Sequence, residues 1–380
     1  MSTPADLRAA LAHRLTADGT LTEPAWADAV RAVPRELFVG PYFVPVAGSF
    51  PTSYRTVRDS DPDWLDGIYS DTTLVTQLDG RTSPDDVPDG TITGIPTSSS
   101  TLPSVVLRMW QQLGAQAGQR VLEIGTGTGY STALGAHRLG DTGLTSIEYD
   151  PAIAAAATTA LKTAGYAPRL ITGDGLRGNR DGGPYDRLIA TCSVRYIPLA
   201  WLHQVTPGGR ILATLSGWSY ANALALLDVT GPGEATGRFM SDPASFMIAR
   251  SHDRPPMPTL DLLRGQERPT RIDPAALDDW TGGWVAQLAA PSAIRTGAGA
   301  QQILWDIATG SQARTASDSD GGWTVTQRGP VRLWDKVEQS IQLWQDADEP
   351  HQGEFGITVF GGTQRVWLGS EAGPSWNLPI

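Results

Sequence analysis

"VLEIGTGTGY" occupies Val121 to Tyr130, and its reading decides what fold surrounds it. The opening apolar residues read as a strand, and the three glycines after them as a turn leaving that strand. Glycines at 125, 127 and 129 permit positive φ and let a ligand approach the backbone closely. A dinucleotide fingerprint, G-x-G-x-x-G, would need glycine at 130 or 132, where the chain has Tyr130 and Thr132. A phosphate loop would end in Gly-Lys-Ser or Gly-Lys-Thr, which is absent. What remains is E-x-G-x-G-x-G, with Glu123 two residues ahead of the first glycine. A carboxylate there repels a pyrophosphate and suits a positively charged ligand.

Working outward, "RVLEI", "LTSIEYD", "RLITGD", "YDRLIATC" and "GRILATL" are short apolar runs joined by helical or glycine-rich connections. That alternation predicts an α/β sheet of mostly parallel strands, buried on both faces. Ala152 to Ala164 is predicted helical, and "LALLDVTGPGEATGRFM" predicts an antiparallel hairpin completing the sheet. Glu148 ends the second strand, where an acid can accept hydrogen bonds from both hydroxyls of a ribose. Asp174 ends the third, where it can accept an exocyclic amine of adenine. Their structural alternatives are surface charge for Glu148 and an N-cap for Asp174. Glycine loop, ribose acid and adenine acid in this order imply S-adenosyl-L-methionine, with S-adenosyl-L-homocysteine as product. The candidate cofactor set is Glu123, Gly125, Thr126, Gly127, Gly129, Tyr130, Glu148, Tyr149, Asp174, Gly175 and Thr191.

N-terminal to this core, Thr3, Pro4 and Asp6 read as cap, first-turn proline and first-turn acid of a helix carrying Leu7, Leu11 and Leu15. A second helix is expected from about Thr22, with Trp26, Val30 and Val33 on one face. "VPRELFVGPYFVP" reads as extended, and Arg81 to Pro96 as an acidic surface loop. Beyond Arg250, "HDRPPMPTL" reads as a linker to a tryptophan-rich α+β region, in which "PVRLWDKVEQSIQLW" has helical spacing. The predicted organisation is 1–96 N-terminal helical segment with the insert, 97–250 cofactor-binding core and 251–380 C-terminal accessory domain.

Composition narrows the function classes. The 380 residues hold 40 acids against 29 Lys and Arg, a net charge of −11 that makes a poor nucleic-acid binder. The single cysteine, Cys192, precludes an internal disulfide and fits a reducing cytoplasm. It reads as a small buried residue, and His203 as a packing residue. No membrane span or signal peptide is read, and five scattered histidines without a CxxC give no metal site. Neither nucleic acid nor membrane is expected as a partner.

"TGIPTSSSTLPSVVLRMW", Thr93 to Trp110, places five hydroxyls, Thr97 to Thr101, before a proline and an apolar helical pattern. Either Ser100 or Thr101 caps the helix and the others face solvent, or the run grips an anion at a helix N-terminus. The wider chain resembles the protein-L-isoaspartate O-methyltransferase family from about Leu7 to Arg250. "VPRELFV" is similar to that family's VPR-x-x-FV, and "YSD" at Tyr69 to Asp71 to its Tyr-x-Asp, which lines a substrate groove or forms a turn. Aligned on "LEIGTGTGY", Pro103 and Thr101 stand where the family's T-I-S-x-P has its proline and its acceptor-site serine.

The resemblance implies a Rossmann-like class I S-adenosylmethionine-dependent methyltransferase core acting on a carboxyl group. Two departures from the family stand out: the long acidic insert through Pro96, and some 130 further residues at the C-terminus. In this form the chain looks like the methyltransferases found with ATP-grasp peptide maturases of the graspetide type. That implies methylation of an aspartate side chain in a ribosomally made, macrocyclised precursor peptide, leading to aspartimide or isoaspartate. Ser98, Ser99, Ser100 and Thr101 are the candidate catalytic residues. Repair of isoaspartyl proteins, or a non-catalytic cofactor-binding scaffold, are the alternatives.

Overall fold

The computed structural model describes residues 3–87, 89–256 and 264–380. The chain forms two compact units, Met1–Thr191 with Gln204–Leu212, and Cys192–His203 with Ala213–Ile380. The expected borders at 96/97 and 250/251 are therefore corrected: the N-terminal segment belongs with the glycine-loop core, and the hairpin belongs with the C-terminal region. The predicted linker "HDRPPMPTL" runs into 257–263, outside the described residues.

In the first unit, helix α1 (Pro4–Ala17) starts on a Thr3–Asp6 capping box and buries Leu11, Ala12 and Leu15. Helix α2 (Pro24–Ala32) buries Trp26 and Val30. Past it the segment is not chiefly helical, as expected, but folds into a small antiparallel sheet. Strands β1 (Tyr42–Pro45), β2 (Ser53–Val57), β3 (Leu74–Leu78), β4 (Thr91–Thr93) and β5 (Pro96–Ser100) run in the order β4-β2-β1-β3-β5. Short helix α3 (Trp64–Ile68) links β2 to β3. Phe43, Tyr54, Val75, Leu78 and Val87 form the core of this layer, with Ile92 packed against it. The acidic insert reads as a loop because its few apolar residues are spread through a polar background. Of these, Ile92 becomes a strand residue in β4, and Val87 joins the core, only by packing with Phe43 and Tyr54.

The second sheet of this unit is the expected parallel one. Strands β6 (Val121–Ile124), β7 (Leu144–Glu148) and β8 (Arg169–Thr172) are followed by β9 (Tyr185–Val194) and β10 (Val205–Leu215), which begin in this unit. Their order is β10-β9-β6-β7-β8, with Leu122 opposite both Thr145 and Leu188 in parallel register. Every residue of β6 is buried, because helices cover both faces. Those helices are α4 (Pro103–Leu113), α5 (Tyr130–Leu139) and α6 (Pro151–Thr163). Trp110 of α4 stacks on Trp26 at 5.6 Å. The strand order reverses direction between β6 and β9, which opens a crevice beyond their C-terminal ends.

The second unit contains helix α7 (Leu199–Gln204), nearly all of it, and the hairpin β11 (Ala223–Gly231) and β12 (Glu234–Phe239), paired as the sequence predicts. Strands β13 (Gln266–Thr270), β14 (Ala293–Ala298), β15 (Gln301–Asp306), β16 (Gln312–Ser317) and β17 (Trp323–Arg328) form an antiparallel sheet in the order β13-β17-β16-β15-β14. Helices α8 (Trp280–Ala289) and α9 (Leu333–Asp346) pack together, and β18 (Phe355–Phe360), β19 (Thr363–Leu368) and β20 (Ser375–Asn377) extend from β12. Trp284 meets Phe239 at 4.7 Å and Phe355 at 5.0 Å, so tryptophan fills this core as expected. No helix among the described residues is long and apolar enough to cross a membrane.

Candidate active site

The glycine turn sits where β6 meets the crevice. Gly125, Gly127 and Gly129 have φ of +97°, +55° and +91°, a region that side-chain-bearing residues avoid. Steric room is equally short. A Cβ on Gly125 would lie 2.8 Å from Thr191 Oγ1, and one on Gly127 would lie 3.3 Å from the Ser99 carbonyl oxygen. Thr191 Oγ1 itself donates to the carbonyls of Ile124 at 3.0 Å and Gly125 at 2.5 Å, so it holds the loop. Helix α5 begins at Tyr130 with Gly129 as cap and no side-chain cap, which leaves its first N–H groups without that partner. The chain has formed a bare backbone cradle at the switch point.

Glu123, read from the sequence as part of the cofactor set, lies inside the fold: its carboxylate is wholly buried and accepts from Ser131 Oγ at 2.6 Å, Thr132 Oγ1 at 2.5 Å and Ser146 Oγ at 2.8 Å. Side chains alternate along β6, so Glu123 lies on the face covered by α5. Burial raises its pKa while the three hydroxyl donors oppose that rise. It ties the start of α5 to β6 and β7 and supports the loop from beneath. Thr126, whose hydroxyl bonds Ser146 Oγ at 2.7 Å, joins the same network.

Glu148 stands at the tip of β7. One oxygen accepts from Gly127 N–H at 2.8 Å and the other from Asp150 N–H at 3.0 Å, and burial raises its pKa. Each oxygen still has acceptor capacity for a hydroxyl donor. Tyr149 beside it is half exposed and offers an aromatic face. Asp174 follows β8 and accepts from Leu176 N–H at 3.0 Å, so the capping alternative describes its visible bond. Gly175 packs on the tip of β6, where a Cβ would press to 2.4 Å of Ile124 Cγ2. Tyr130 is almost fully buried, its ring under the Arg35 guanidinium at 5.5 Å and its pKa pushed up to about 12 by burial. It packs the start of α5 from inside the fold.

The hydroxyl run is not the first turn of a helix. Residues Pro96 to Ser100 are β5, an edge strand paired with β3, and α4 starts later, at Pro103, with Leu102 as its cap. Neither Ser100 nor Thr101 caps that helix. Asp71 does so from a distance, accepting from Ser104 N–H at 2.9 Å. Strand alternation then sorts the hydroxyls. Ser98 and Ser100 are buried, Ser98 accepting from Thr76 Oγ1 at 3.2 Å and Ser100 accepting from Arg35 Nε at 3.3 Å. Thr97 donates to Gln77 Oε1 at 2.8 Å and accepts from Gly80 N–H at 2.9 Å, whereas the hydroxyls of Ser99 and Thr101 make no hydrogen bond among the described residues. It is the Ser99 carbonyl that comes closest to Gly127.

Arg35, within "VPRELFV", is the residue that sequence reasoning quoted without assigning a role. It is wholly buried and donates to the carbonyls of Ile68, Ser70, Thr72, Ser100 and Thr101 at 2.8 to 3.2 Å. It thereby joins the Tyr69–Asp71 turn to the end of β5. Burial pushes its pKa down to about 10, so it remains charged at neutral pH. Tyr69 is buried, with its hydroxyl bonded to Glu36. Gln77 of β3 donates to Asp150 Oδ2 at 3.1 Å, anchoring the small sheet beside Glu148. Cys192 is half-buried, and His203 is exposed at the end of α7 against the turn at Gly233.

Comparison with known proteins meets this geometry. Residues 90–239 match the family model described as Protein-L-isoaspartate(D-aspartate) O-methyltransferase. Protein-L-isoaspartate O-methyltransferase 2 of Archaeoglobus fulgidus is 32% identical over 207 residues, which span 54% of this chain and 76% of that protein. Protein-L-isoaspartate O-methyltransferase of Thermotoga maritima is 30% identical over 192 residues, half of each chain. A solved protein-L-isoaspartate O-methyltransferase superposes with a TM-score of 0.56 at 18% identity, over 96% of this chain and all of its own. That overlap leaves no 130-residue remainder, so the C-terminal region does not set this chain apart as the sequence led us to expect.

Proposed function

The chain belongs to the protein-L-isoaspartate O-methyltransferase family, and from that premise we propose that it methylates an aspartate-derived carboxylate held in a peptide. It is a carboxyl O-methyltransferase dependent on S-adenosylmethionine, which supplies an electrophilic methyl group on a sulfonium. The residues present fit this donor. The bare loop at Gly125 to Gly129 admits it against the backbone, Glu148 has lone pairs for ribose hydroxyls, and Tyr149 offers a face for a base.

An aspartate carboxylate with a pKa near about 3.9 is already ionised at neutral pH, so no general base is needed. What the protein must supply is alignment and exclusion of water, and orientation of this kind can be worth about 7–11 kcal/mol. Bound there, the donor would supply its methyl to a carboxylate oxygen of the acceptor, with sulfur keeping the bonding electron pair. In this reading Ser99 and Thr101 hold the acceptor, Ser98 and Ser100 hold the strand, and Arg35 fixes both to the fold. The single observation that carries it is that the hydroxyls of Thr97, Ser98 and Ser100 are committed to hydrogen bonds within the fold while those of Ser99 and Thr101 have no partner among the described residues, the Ser99 backbone lying against Gly127.

For the acceptor we infer an aspartate in a macrocyclised precursor peptide already modified by an ATP-grasp ligase. The support is the insert before β5 and the strand "PTSSS", with the resemblance read from the sequence to methyltransferases found with ATP-grasp peptide maturases. The resulting ester is a better leaving group than a carboxylate. The next residue's backbone nitrogen attacks its carbonyl and methanol departs, giving an aspartimide that hydrolyses in part to isoaspartate. Isoaspartyl repair is favoured instead by the relatives, which are protein-L-isoaspartate O-methyltransferases. Methyl transfer to an isoaspartyl peptide and to a cyclised, aspartate-bearing precursor, compared by kcat/KM, separates them. Preference for the isoaspartyl peptide overturns the maturation reading.

A further inference from the structure

Strand β3 is irregular at one place. Val75 and Leu78 both enter the core of the small sheet although they are three residues apart, so the alternation slips once between them. The pairing with β5 shifts register on both sides of Gln77, which stands opposite Ser98. Such a shift re-aims a side chain, and the buried Gln77 amide meets Asp150, two residues past the tip of β7. Strands β3 and β7 belong to different sheets, so this contact ties one sheet to the other.

The amide is one member of a chain of hydrogen bonds from the hydroxyl strand to Glu148. Gly80 N–H donates to Thr97 Oγ1 at 2.9 Å, and Thr97 Oγ1 donates to Gln77 Oε1 at 2.8 Å. Gln77 Nε2 donates to Asp150 Oδ2 at 3.1 Å. The other Asp150 oxygen caps α6, accepting from Ala152 N–H at 2.9 Å and Ile153 N–H at 3.3 Å. Asp150 N–H donates to Glu148 Oε1 at 3.0 Å. A carboxylate accepts and cannot donate, so the amide must turn its NH2 to Asp150 and its oxygen to the Thr97 hydroxyl. A glutamate in its place would set two carboxylates face to face.

We propose that Gln77 is a positioning residue, which fixes the acceptor strand β5 to the donor site at Glu148 so that occupying one site steadies the other. The role rests on the function proposed above, which puts the acceptor at Ser99 and Thr101. Transfer needs the carboxylate oxygen, methyl carbon and sulfur in line, and a displacement of about 1 Å can slow it about 100-fold.

The test uses the full-length protein and whichever of the two peptides above the wild type methylates. Gln77→Met keeps the side-chain length and removes both hydrogen bonds. Single-turnover transfer at saturating donor and acceptor should slow by up to about 100-fold, with affinity for S-adenosylhomocysteine by calorimetry unchanged. A second readout needs no turnover: S-adenosylhomocysteine should slow hydrogen exchange of the Gly80 amide in the wild type and not in Gln77→Met. Gln77→Glu should lose transfer as well. Combining it with Asp150→Asn should recover most of the rate, because the asparagine amide then donates to the glutamate while its oxygen still caps α6. Should Gln77→Met fail to fold, that swapped pair decides by itself. Four results each overturn the positioning role: wild-type transfer by Gln77→Met, a parallel loss of transfer and S-adenosylhomocysteine affinity, equal slowing of the Gly80 amide in both proteins, or a swapped pair no better than Gln77→Glu. A wild type that methylates neither peptide overturns the functional reading, and the positioning role falls with it.

Discussion

Replacing Arg35 by lysine keeps a positive charge in the same place and removes most of what the residue does. The guanidinium donates to five carbonyls, those of Ile68, Ser70, Thr72, Ser100 and Thr101, and to the Ser100 hydroxyl. An ammonium has three N–H donors, so at least two of these carbonyls lose their partner. A buried acceptor left unsatisfied costs about 1–3 kcal/mol, which sets the loss for Arg35→Lys at about 2–6 kcal/mol. Typical domains hold about 5–15 kcal/mol in total, so the variant should be folded but much weakened. Arg35→Met, with no donor, should leave the region unfolded. Urea denaturation gives the loss, and hydrogen exchange should show faster opening at 68–72 and 97–102 than elsewhere in the first unit. In the folded fraction, binding of S-adenosylhomocysteine should persist and KM for the acceptor peptide should rise. Stability within about 1 kcal/mol of wild type would mean that the carbonyls find other donors, and the clamp would be refuted.

The hydroxyls of β5 should divide into two classes. Ser99→Ala and Thr101→Ala should lower kcat about 10- to 100-fold with unchanged melting and unchanged affinity for S-adenosylhomocysteine, whereas Ser98→Ala and Ser100→Ala should lose about 0.5–1.5 kcal/mol of stability first. Four variants behaving alike in both assays would remove the distinction. Gly125→Ala and Gly140→Ala impose similar backbone strain, at φ of +97° and +90°, but only the first drives a Cβ to 2.8 Å from Thr191 Oγ1. By calorimetry only Gly125→Ala should lose cofactor affinity, by about tenfold or more, equivalent to about 1.4 kcal/mol. For Glu123 the folded-state pKa is raised, so the native state binds more protons than the unfolded one between the two pKa values. Unfolding free energy should fall as pH rises from about 4.3 through the raised value, and Glu123→Gln should flatten that slope; an unaltered slope contradicts the buried placement.

The parallel core was legible because its pattern is local. Four consecutive buried residues in β6, the glycines that leave it and the acids closing β7 and β8 appear in the amino-acid order itself. The small sheet was not legible, since Phe43, Tyr54, Val75 and Val87 are far apart in sequence and form a core only when brought together. For the same reason Arg35 passed without a role. All its partners are distant backbone carbonyls, which no residue type announces.

The sequence alone determined that a glycine loop of this form follows a buried strand, because positive φ at Gly125, Gly127 and Gly129 is a property of those residues. It also marked Thr97 to Thr101 as a place of concentrated hydroxyls. Only the tertiary structure decided which way each group points. Pairing of β5 with β3 buries Ser98 and Ser100 and leaves Ser99 more exposed, and α5 covering β6 commits the Glu123 carboxylate to hydroxyl donors inside the fold. Side-chain direction on a strand follows from register, and register is set by the neighbour across the sheet.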